Sequence, residues 1–181
     1  MASKPTIYRF QIALSDMNRD VYETLSLTVA QHPSETAERM LVRVLAYCLN
    51  AQEGLKFTNG LSAPEEADVW ARTLHDSIKL WIEVGEPIVE RVKKASRQSP
   101  ETKVYSFNSK AGVWWTQNKD ELAKFNASIY KFAWPEVQKF AELLERTMDM
   151  ALSISGETVF ISASRGDCEL TWEVLQDVAE K

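Results

Sequence analysis

Residues 67–97, with the sequence ADVWARTLHDSIKLWIEVGEPIVERVKKASR, decide how this chain folds. Asp68 and Trp70 stand in one short segment, and Trp81 and Glu83 stand in the next segment in mirrored order. If the two segments form an antiparallel hairpin, the register that pairs Trp70 with Trp81 also sets Asp68 opposite Glu83. The polar run between the segments then makes the turn. The stretch therefore predicts a hairpin that carries a tryptophan pair and an acid pair.

The acid pair is the feature of the sequence that suggests a chemical function. A cross-strand tryptophan pair stabilises a hairpin, whereas two carboxylates at opposite positions repel each other. Such carboxylates require a metal ion, a basic side chain or a bound proton close by. We therefore expect a metal site on this hairpin. The alternative is a structural ion pair, in which Arg72, Lys79 or a neighbouring helix neutralises the acids.

Length and composition bound the class of protein. With 181 residues, a hydrophobic fraction of 45% and six tryptophans, we expect one folded domain over residues 1–181. The net charge of −5 argues against a large non-specific nucleic-acid surface, although a local basic patch is compatible with it. Cys48 and Cys168 match no zinc spacing and indicate reduced thiols. We expect a cytoplasmic protein without a membrane span, and a monomer is favoured.

Hydrophobic periodicity predicts an α+β chain with a mixed sheet, an opening antiparallel hairpin, flanking helices and a C-terminal β-meander. The predicted strands cover residues 5–14, 21–30, 55–61, 68–72, 79–85, 103–107, 129–134, 150–154, 158–163 and 169–174. The predicted helices cover residues 33–50, 87–97, 110–125 and 135–146. Residues 79–107 read as strand, helix and strand, so this strand pair is expected to be parallel. Trp114–Trp115 is interpreted as packing in preference to a base-stacking platform.

The helix that follows the hairpin is basic. Its cations are Arg91, Lys93, Lys94 and Arg97. Arg91 and Lys94 lie one turn apart, which predicts that they face Glu83 and a bound phosphate. The alternative is a solvated face on which Glu90 pairs with Lys93 and Lys94. The residues expected to pack inward are Ile88, Val92 and Ala95.

A third carboxylate lies in the first predicted helix. Glu38 borders the apolar stripe of that helix. The stripe consists of Ala37, Leu41, Val44, Leu45 and Cys48. An acid in this position is usually an edge residue that pairs with a nearby arginine, here Arg39 or Arg43. Alternatively, Glu38 reaches the hairpin and adds a third carboxylate to the acid pair.

Several short motifs resemble the YaeQ family of bacterial proteins. They are HPSETAERM (residues 32–40), ADVWAR (67–72), LWIEVGEP (80–87) and RVKKA (91–95), with YRF (8–10), VYSF (104–107) and WW (114–115). The resemblance covers nearly the whole chain. It implies a compact variant of the PD-(D/E)XK nuclease-like fold, in which a helix precedes a strand hairpin, a second helix and a further strand.

The resemblance also implies a set of metal ligands. The superfamily pattern places an Asp on one strand and an acid on the next strand, and Asp68 and Glu83 match these positions. The backbone carbonyl of Val84 would match the usual third ligand. A glutamate from the preceding helix is often added in that superfamily, and Glu38 is the candidate for it.

The sequence departs from the superfamily pattern at the catalytic lysine. Gly85 stands where that lysine is expected. Some members of the superfamily recruit the lysine from the following helix, and Lys94, with Arg91, would match that arrangement. The resemblance therefore implies the fold more strongly than it implies activity.

These observations predict a divalent-metal-dependent phosphodiesterase or nuclease-like protein that uses Mg²⁺ or Mn²⁺. Lys94 would stabilise the developing negative charge, and Arg91 would orient the phosphate. The alternative is a non-catalytic protein of the same fold that binds a protein or nucleic acid, with the basic helix as the expected nucleic-acid contact. In a third interpretation, Arg91 or Lys94 holds Asp68 and Glu83 for structural reasons alone.

Overall fold

Strands and helices alternate along the chain much as the periodicity predicts. The structure, a computed structural model, describes residues 4–180. The described strands are β1 (Thr6–Asp16), β2 (Val21–Gln31), β3 (Leu55–Phe57), β4 (Val69–Arg72), β5 (Ile78–Val84), β6 (Thr102–Ser106), β7 (Ser128–Phe132), β8 (Thr147–Ser155), β9 (Thr158–Ala163) and β10 (Gly166–Gln176). The described helices are α1 (Ala37–Leu49), α2 (Val89–Gln98), α3 (Ala111–Leu122) and α4 (Trp134–Ala141), with 3₁₀ turns at Gly60–Ser62 and Val178–Glu180. The predicted α+β class, with mixed strand pairing, is confirmed.

The chain divides into two compact units. The first unit comprises Met1–Leu41 and Ala133–Trp172, and the second comprises Val42–Phe132 and Glu173–Lys181. The prediction of one domain over residues 1–181 stays a prediction. Within residues 4–180, no helix has the length and apolar character needed to cross a membrane.

The first unit is built on the opening hairpin. Strands β1 and β2 pair antiparallel, and Phe10, Ile12 and Leu14 of β1 point into the core. The strand order is β2-β1-β8-β9-β10, with β8 parallel to β1 and the pairs β8–β9 and β9–β10 antiparallel. The predicted C-terminal meander is confirmed. Helix α4 ends at Ala141, earlier than the predicted end at residue 146, and β8 begins at Thr147.

Helix α1 begins later than its sequence signals predict. Pro33, the predicted start of the helix, lies in a turn. In this turn the Glu35 N–H donates a hydrogen bond to the His32 carbonyl oxygen over 2.8 Å. The Arg39 N–H donates to Thr36 Oγ1 over 3.1 Å, so Thr36 satisfies one free amide at the helix start. The helix is buried on more sides than the predicted stripe, since Val42 and Ala46 are also fully buried.

The second unit carries the predicted central hairpin. Its strand order is β7-β6-β5-β4-β3, in which β3–β4 and β4–β5 are antiparallel. Strand β6 runs parallel to β5 after the crossover through α2, and β7 runs parallel to β6. The predicted parallel crossover is therefore confirmed.

Helices α2 and α3 pack on the second unit through two hydrophobic clusters. Val92 and Ala95 of α2 are buried, as predicted. Ile88 is 72% exposed, because α2 begins at Val89 and Ile88 precedes its first turn. Trp114 and Trp115 of α3 pack against the cluster that contains Val92, which confirms the packing interpretation.

Candidate functional site

The central hairpin adopts the predicted register. Trp70 pairs with Trp81 across β4 and β5, and Val69 pairs with Ile82. The two indole rings meet edge to face, with ring centroids 5.8 Å apart and planes at 72°. The Asp68 N–H continues the ladder by donating to the Ile82 carbonyl over 3.1 Å. Asp68 therefore lies beside Glu83, one step beyond the paired residues.

Asp68 is anchored by the backbone of the neighbouring strand. It is 2% exposed, and its Oδ2 accepts the Val84 N–H over 2.8 Å. A carboxylate that accepts a backbone N–H is held in place by that hydrogen bond. The position of Asp68 is thus fixed by β5 itself.

Glu83 has a donor on each carboxylate oxygen. It is 3% exposed, its Oε1 accepts the Trp81 indole N–H over 2.7 Å, and its Oε2 accepts Arg91 Nε over 2.8 Å. Trp81 and Glu83 are two residues apart on one strand, so their side chains share a face. The sequence identified Trp81 as a stacking partner only, although this spacing is the signal for its second role.

Burial and the neighbouring acid disfavour the charged form of Glu83. Desolvation of the buried carboxyl, followed by repulsion from Asp68, raises the pKa of Glu83 to about 7 from an ordinary value of 4.5. The Arg91 guanidinium and the Trp81 indole oppose this rise. A carboxyl whose pKa is raised by burial and by a second acid is a candidate functional group.

Arg91 is the predicted cation that the structure places at the acid pair. It lies in the first turn of α2 and pairs with Glu83 at 2.8 Å. Its Nη1 donates to the Pro64 carbonyl over 2.6 Å, and its Nη2 donates to the Glu66 carbonyl over 2.8 Å. The contacts with the loop carbonyls were missed in the sequence, because backbone acceptors carry no residue signature.

Lys94 and Glu38 are the other two side chains that were predicted to belong to the site. Lys94 is exposed on α2, one turn after Arg91. Glu38 is half-buried in the first turn of α1. Of the two arginines expected to pair with it, Arg39 and Arg43, Arg39 pairs with Glu35 at 2.6 Å. Among the described residues, no three His, Cys, Asp or Glu side chains form a metal-binding group. The predicted roles of Lys94 and Glu38 stay predictions.

Gly85, which follows the acid pair, has a backbone conformation that favours glycine. Its φ is +111°, a conformation that residues with a side chain rarely adopt. A Cβ built on Gly85 meets no heavy atom within 4 Å, so the constraint comes from the backbone and not from crowding. The turn from β5 into the approach to α2 therefore favours glycine at this position.

Comparisons with known proteins agree on one family. The family model described as "YaeQ protein" matches residues 1–172. "Uncharacterized protein YaeQ" of Salmonella typhi is 38% identical over 172 residues, which cover 94% of this chain and 95% of that protein. The protein of the same name from Escherichia coli (strain K12) is 38% identical over 178 residues, with 97% and 98% covered.

Two crystal structures of YaeQ proteins have the same fold. The protein from Xanthomonas axonopodis pv. citri has a TM-score of 0.91 and 35% identity, covering 95% of this chain and 98% of its own. The protein from Pseudomonas syringae has a TM-score of 0.91 and 34% identity, covering 96% and 97%. On the matches of sequence and fold together, this chain belongs to the YaeQ family.

Proposed function

We propose that Asp68 and Glu83 form the site of a divalent-metal-dependent phosphodiesterase of the nuclease-like type. The observation that carries this proposal is the burial of two carboxylates side by side, at 2% and 3% exposure, with Arg91 pairing with Glu83. Two carboxylates that share one buried space repel each other when charged and attract positive charge. A divalent cation supplies that charge.

The donor set of the acid pair fits Mg²⁺ or Mn²⁺. Both ions favour hard oxygen ligands, and Mg²⁺ is commonly held by only one or two carboxylates together with waters and substrate phosphate. Each carboxylate has about four acceptor sites. Glu83 uses one on each oxygen, for Trp81 and Arg91, and therefore retains further acceptor capacity. Asp68 and Glu83 would hold the ion, and the Val84 carbonyl is the third ligand that the family resemblance suggests.

The order of elements supports a PD-(D/E)XK nuclease-like classification. The hairpin β4–β5 is followed by α2 and by β6 parallel to β5. Asp68 immediately precedes β4, and Glu83 is the penultimate residue of β5, as the superfamily pattern requires. Because Gly85 stands at the lysine position, Lys94 of α2, with Arg91, would fill that role.

The chain contributes positioning and charge to this chemistry. When bound, the metal supplies Lewis acidity towards a phosphate and a lower pKa for a coordinated water. Arg91 would orient the phosphate through its guanidinium, which forms two-pronged contacts with such groups. Lys94, exposed one turn further along α2, would stabilise negative charge that develops on the phosphate.

Metal titration tests the proposal directly. We expect calorimetry to detect Mg²⁺ or Mn²⁺ binding at millimolar concentration or below, and to detect at least about tenfold weaker binding to Asp68→Asn, because a charged ligand is lost. Single-stranded, duplex and branched DNA and RNA are then incubated with Mn²⁺. Cleavage supports the enzyme only if Glu83→Gln abolishes it. No binding at millimolar metal to either protein removes the metal site.

A second candidate function is a non-catalytic protein of the same fold that binds a protein or nucleic acid. Arg91 favours it, because an ion pair at 2.8 Å already neutralises one of the two acids without a metal. In this case the basic side of α2 would supply the contact. Binding of an oligonucleotide that persists in EDTA and in Glu83→Gln, without cleavage in Mn²⁺, would favour this candidate.

A further inference from the structure

We propose that Arg91 is a latch that couples occupation of the acid pair to the opening of residues 59–66, here called the strap. This inference rests on the proposed metal-binding function and adds a form of regulation to the same site. In the closed arrangement Arg91 neutralises Glu83 and fastens the strap. When a divalent cation takes the place of that positive charge, the strap is released.

The geometry of Arg91 joins three separate groups. Its Nε donates to Glu83 Oε2 over 2.8 Å, while Nη1 and Nη2 donate to the carbonyls of Pro64 and Glu66 over 2.6 and 2.8 Å. The guanidinium is planar and rigid, so its three nitrogen atoms move together. A displacement that breaks the bond to Glu83 therefore also disturbs both bonds to the strap.

The strap has few other attachments. Its internal hydrogen bonds are Asn59 N–H to Glu66 Oε2, Ser62 N–H to the Asn59 carbonyl and Glu66 N–H to the Ala63 carbonyl. Within the described part of the chain, the hydrogen bonds that residues 59–66 make outside the segment all end on Arg91. Most of its residues are exposed, and Leu61 is 45% exposed. A segment with so little buried apolar area opens at low free-energy cost once its hydrogen bonds to Arg91 are lost.

Electrostatics makes the two cations compete. A divalent ion held by Asp68 and Glu83 would lie close to a guanidinium that is 2.8 Å from one of the same carboxylates. The two positive charges repel, and the acids no longer need the arginine for neutralisation. Because coupling between two equilibria is reciprocal, anything that holds the strap open also tightens cation binding.

Hydrogen exchange of the strap, read by mass spectrometry, tests the latch with Mn²⁺ alone as the probe. In the wild type we expect Mn²⁺ to speed exchange of the strap amides about tenfold, the factor expected when hydrogen bonds to a charged donor are lost. In Arg91→Gln we expect the same acceleration without metal. Calorimetry on the two proteins is expected to show Mn²⁺ binding about tenfold tighter to Arg91→Gln.

Two further variants keep the experiment interpretable. Arg97→Gln removes a cation from an exposed position on the same helix, and its strap is expected to exchange at the wild-type rate. The double variant Glu83→Gln/Arg91→Gln removes both partners of the ion pair, so it avoids an unpaired buried charge that could unfold the single variant. Its strap is expected to exchange rapidly with or without Mn²⁺.

The outcomes separate failure of the latch from failure of the metal site. If Mn²⁺ binds the wild type but hydrogen exchange of the strap does not change, the latch is wrong and the metal site is supported. If Arg91→Gln and the double variant exchange at the wild-type rate without metal, the latch is wrong whatever the metal does. If Mn²⁺ binds neither the wild type nor Arg91→Gln, the proposed metal function is wrong. The proposed coupling between metal binding and strap opening is then wrong as well.

Discussion

At the acid pair, the surroundings of Glu83 act in opposite directions on the charge of its side chain. Glu83 is excluded from water and lies beside Asp68, yet it receives hydrogen bonds from Trp81 and Arg91. Burial and the neighbouring acid favour its protonated form, whereas the two donors favour its charged form. The charge state of this one residue therefore links stability, pH and cation binding.

The first prediction concerns the pH dependence of stability without metal. The folded-state pKa of Glu83, about 7, lies above its ordinary value of 4.5, so the folded chain binds the proton more tightly. Its contribution to the free energy of unfolding is full below about pH 4.5 and is lost as the pH rises through about 7. Glu83→Gln lacks this loss. Urea unfolding in EDTA is expected to show the wild type losing stability relative to the variant over that range, and a pH-independent difference would contradict the assignment.

The second prediction concerns the ion pair. Arg91→Gln leaves Glu83 buried without its cation and is expected to lower the free energy of unfolding by about 2–3 kcal/mol. The value lies at the low end for buried pairs because 26% of the Arg91 side chain is exposed. Chemical denaturation measures the loss, and Arg97→Gln, the exposed control, is expected to stay within about 0.5 kcal/mol of the wild type.

A double-mutant cycle separates this ion pair from its surroundings. Because Glu83→Gln removes the charge that Arg91 neutralises, the loss in the double variant is expected to be smaller than the sum of the two single losses. Strictly additive losses would mean that Arg91 stabilises the fold through contacts other than Glu83, such as its bonds to the Pro64 and Glu66 carbonyls.

At the level of strands and helices, the β4–β5 hairpin and the turn that follows β5 determine which side chains lie at the site. The register of β4 and β5 sets Asp68 beside Glu83, and the turn after β5 requires positive φ at Gly85. The same local backbone thus provides the acid pair and disfavours a lysine next to it. The cation that pairs with Glu83 comes from α2, in the form of Arg91.

The third prediction tests the backbone explanation for Gly85. Gly85→Ala and Gly85→Lys are both expected to lower the free energy of unfolding by about 1–2 kcal/mol, through strain at positive φ. Their losses are expected to be similar, because a Cβ meets open space at this position. Chemical denaturation of the matched pair measures this. A much larger loss in Gly85→Lys than in Gly85→Ala would show that the lysine is excluded by its surroundings instead.

Local patterns predicted the elements well and their distant contacts poorly. Alternation predicted the opening hairpin, and the mirrored Trp70 and Trp81 fixed the central register, because both signals lie in adjacent segments. The parallel pairing of β8 with β1 joins parts of the chain more than 100 residues apart and has no local signal. A helix start at Pro87 predicts that Ile88 packs inward, but the helix begins two residues later, at Val89, and Ile88 is exposed.

The candidate site was predictable to a similar degree. The acid pair follows from strand register, and the nearness of Arg91 follows from its place in the next helix. The bonds from Arg91 to the Pro64 and Glu66 carbonyls depend on how a loop folds back, which composition does not encode. The two-residue spacing places Trp81 and Glu83 on one face, but the indole bond also depends on a side-chain rotamer, which periodicity alone cannot choose.

Over the whole molecule, charge limits how nucleic acid could bind. The chain has 21 Lys and Arg residues and 26 Asp and Glu residues, giving a net charge of −5. Long-range attraction to a polyanion is therefore weak, and binding depends on local cations. The exposed cations of α2 are the predicted local contact.

The fourth prediction follows from this charge distribution. If nucleic acid binds at α2, Lys94→Gln/Arg97→Gln is expected to reduce the slope of log affinity against log salt by about 1–2, one for each lost phosphate contact. Fluorescence anisotropy with a labelled oligonucleotide at several salt concentrations measures the slope. The control, Lys119→Gln/Lys124→Gln, removes two exposed cations on and just after α3 and is expected to leave the slope unchanged. Equal effects in both variants would argue against a contact centred on α2.

The two native cysteines also have a practical consequence. Cys48 is fully buried, and Cys168 is 6% exposed with a thiol pKa that burial raises to about 11. Thiols in this state react slowly with alkylating reagents at neutral pH. A cysteine introduced at the exposed Ser62 would therefore accept a maleimide dye selectively. Such a conjugate would report the movement of this surface loop in real time, without removal of either native sulfur.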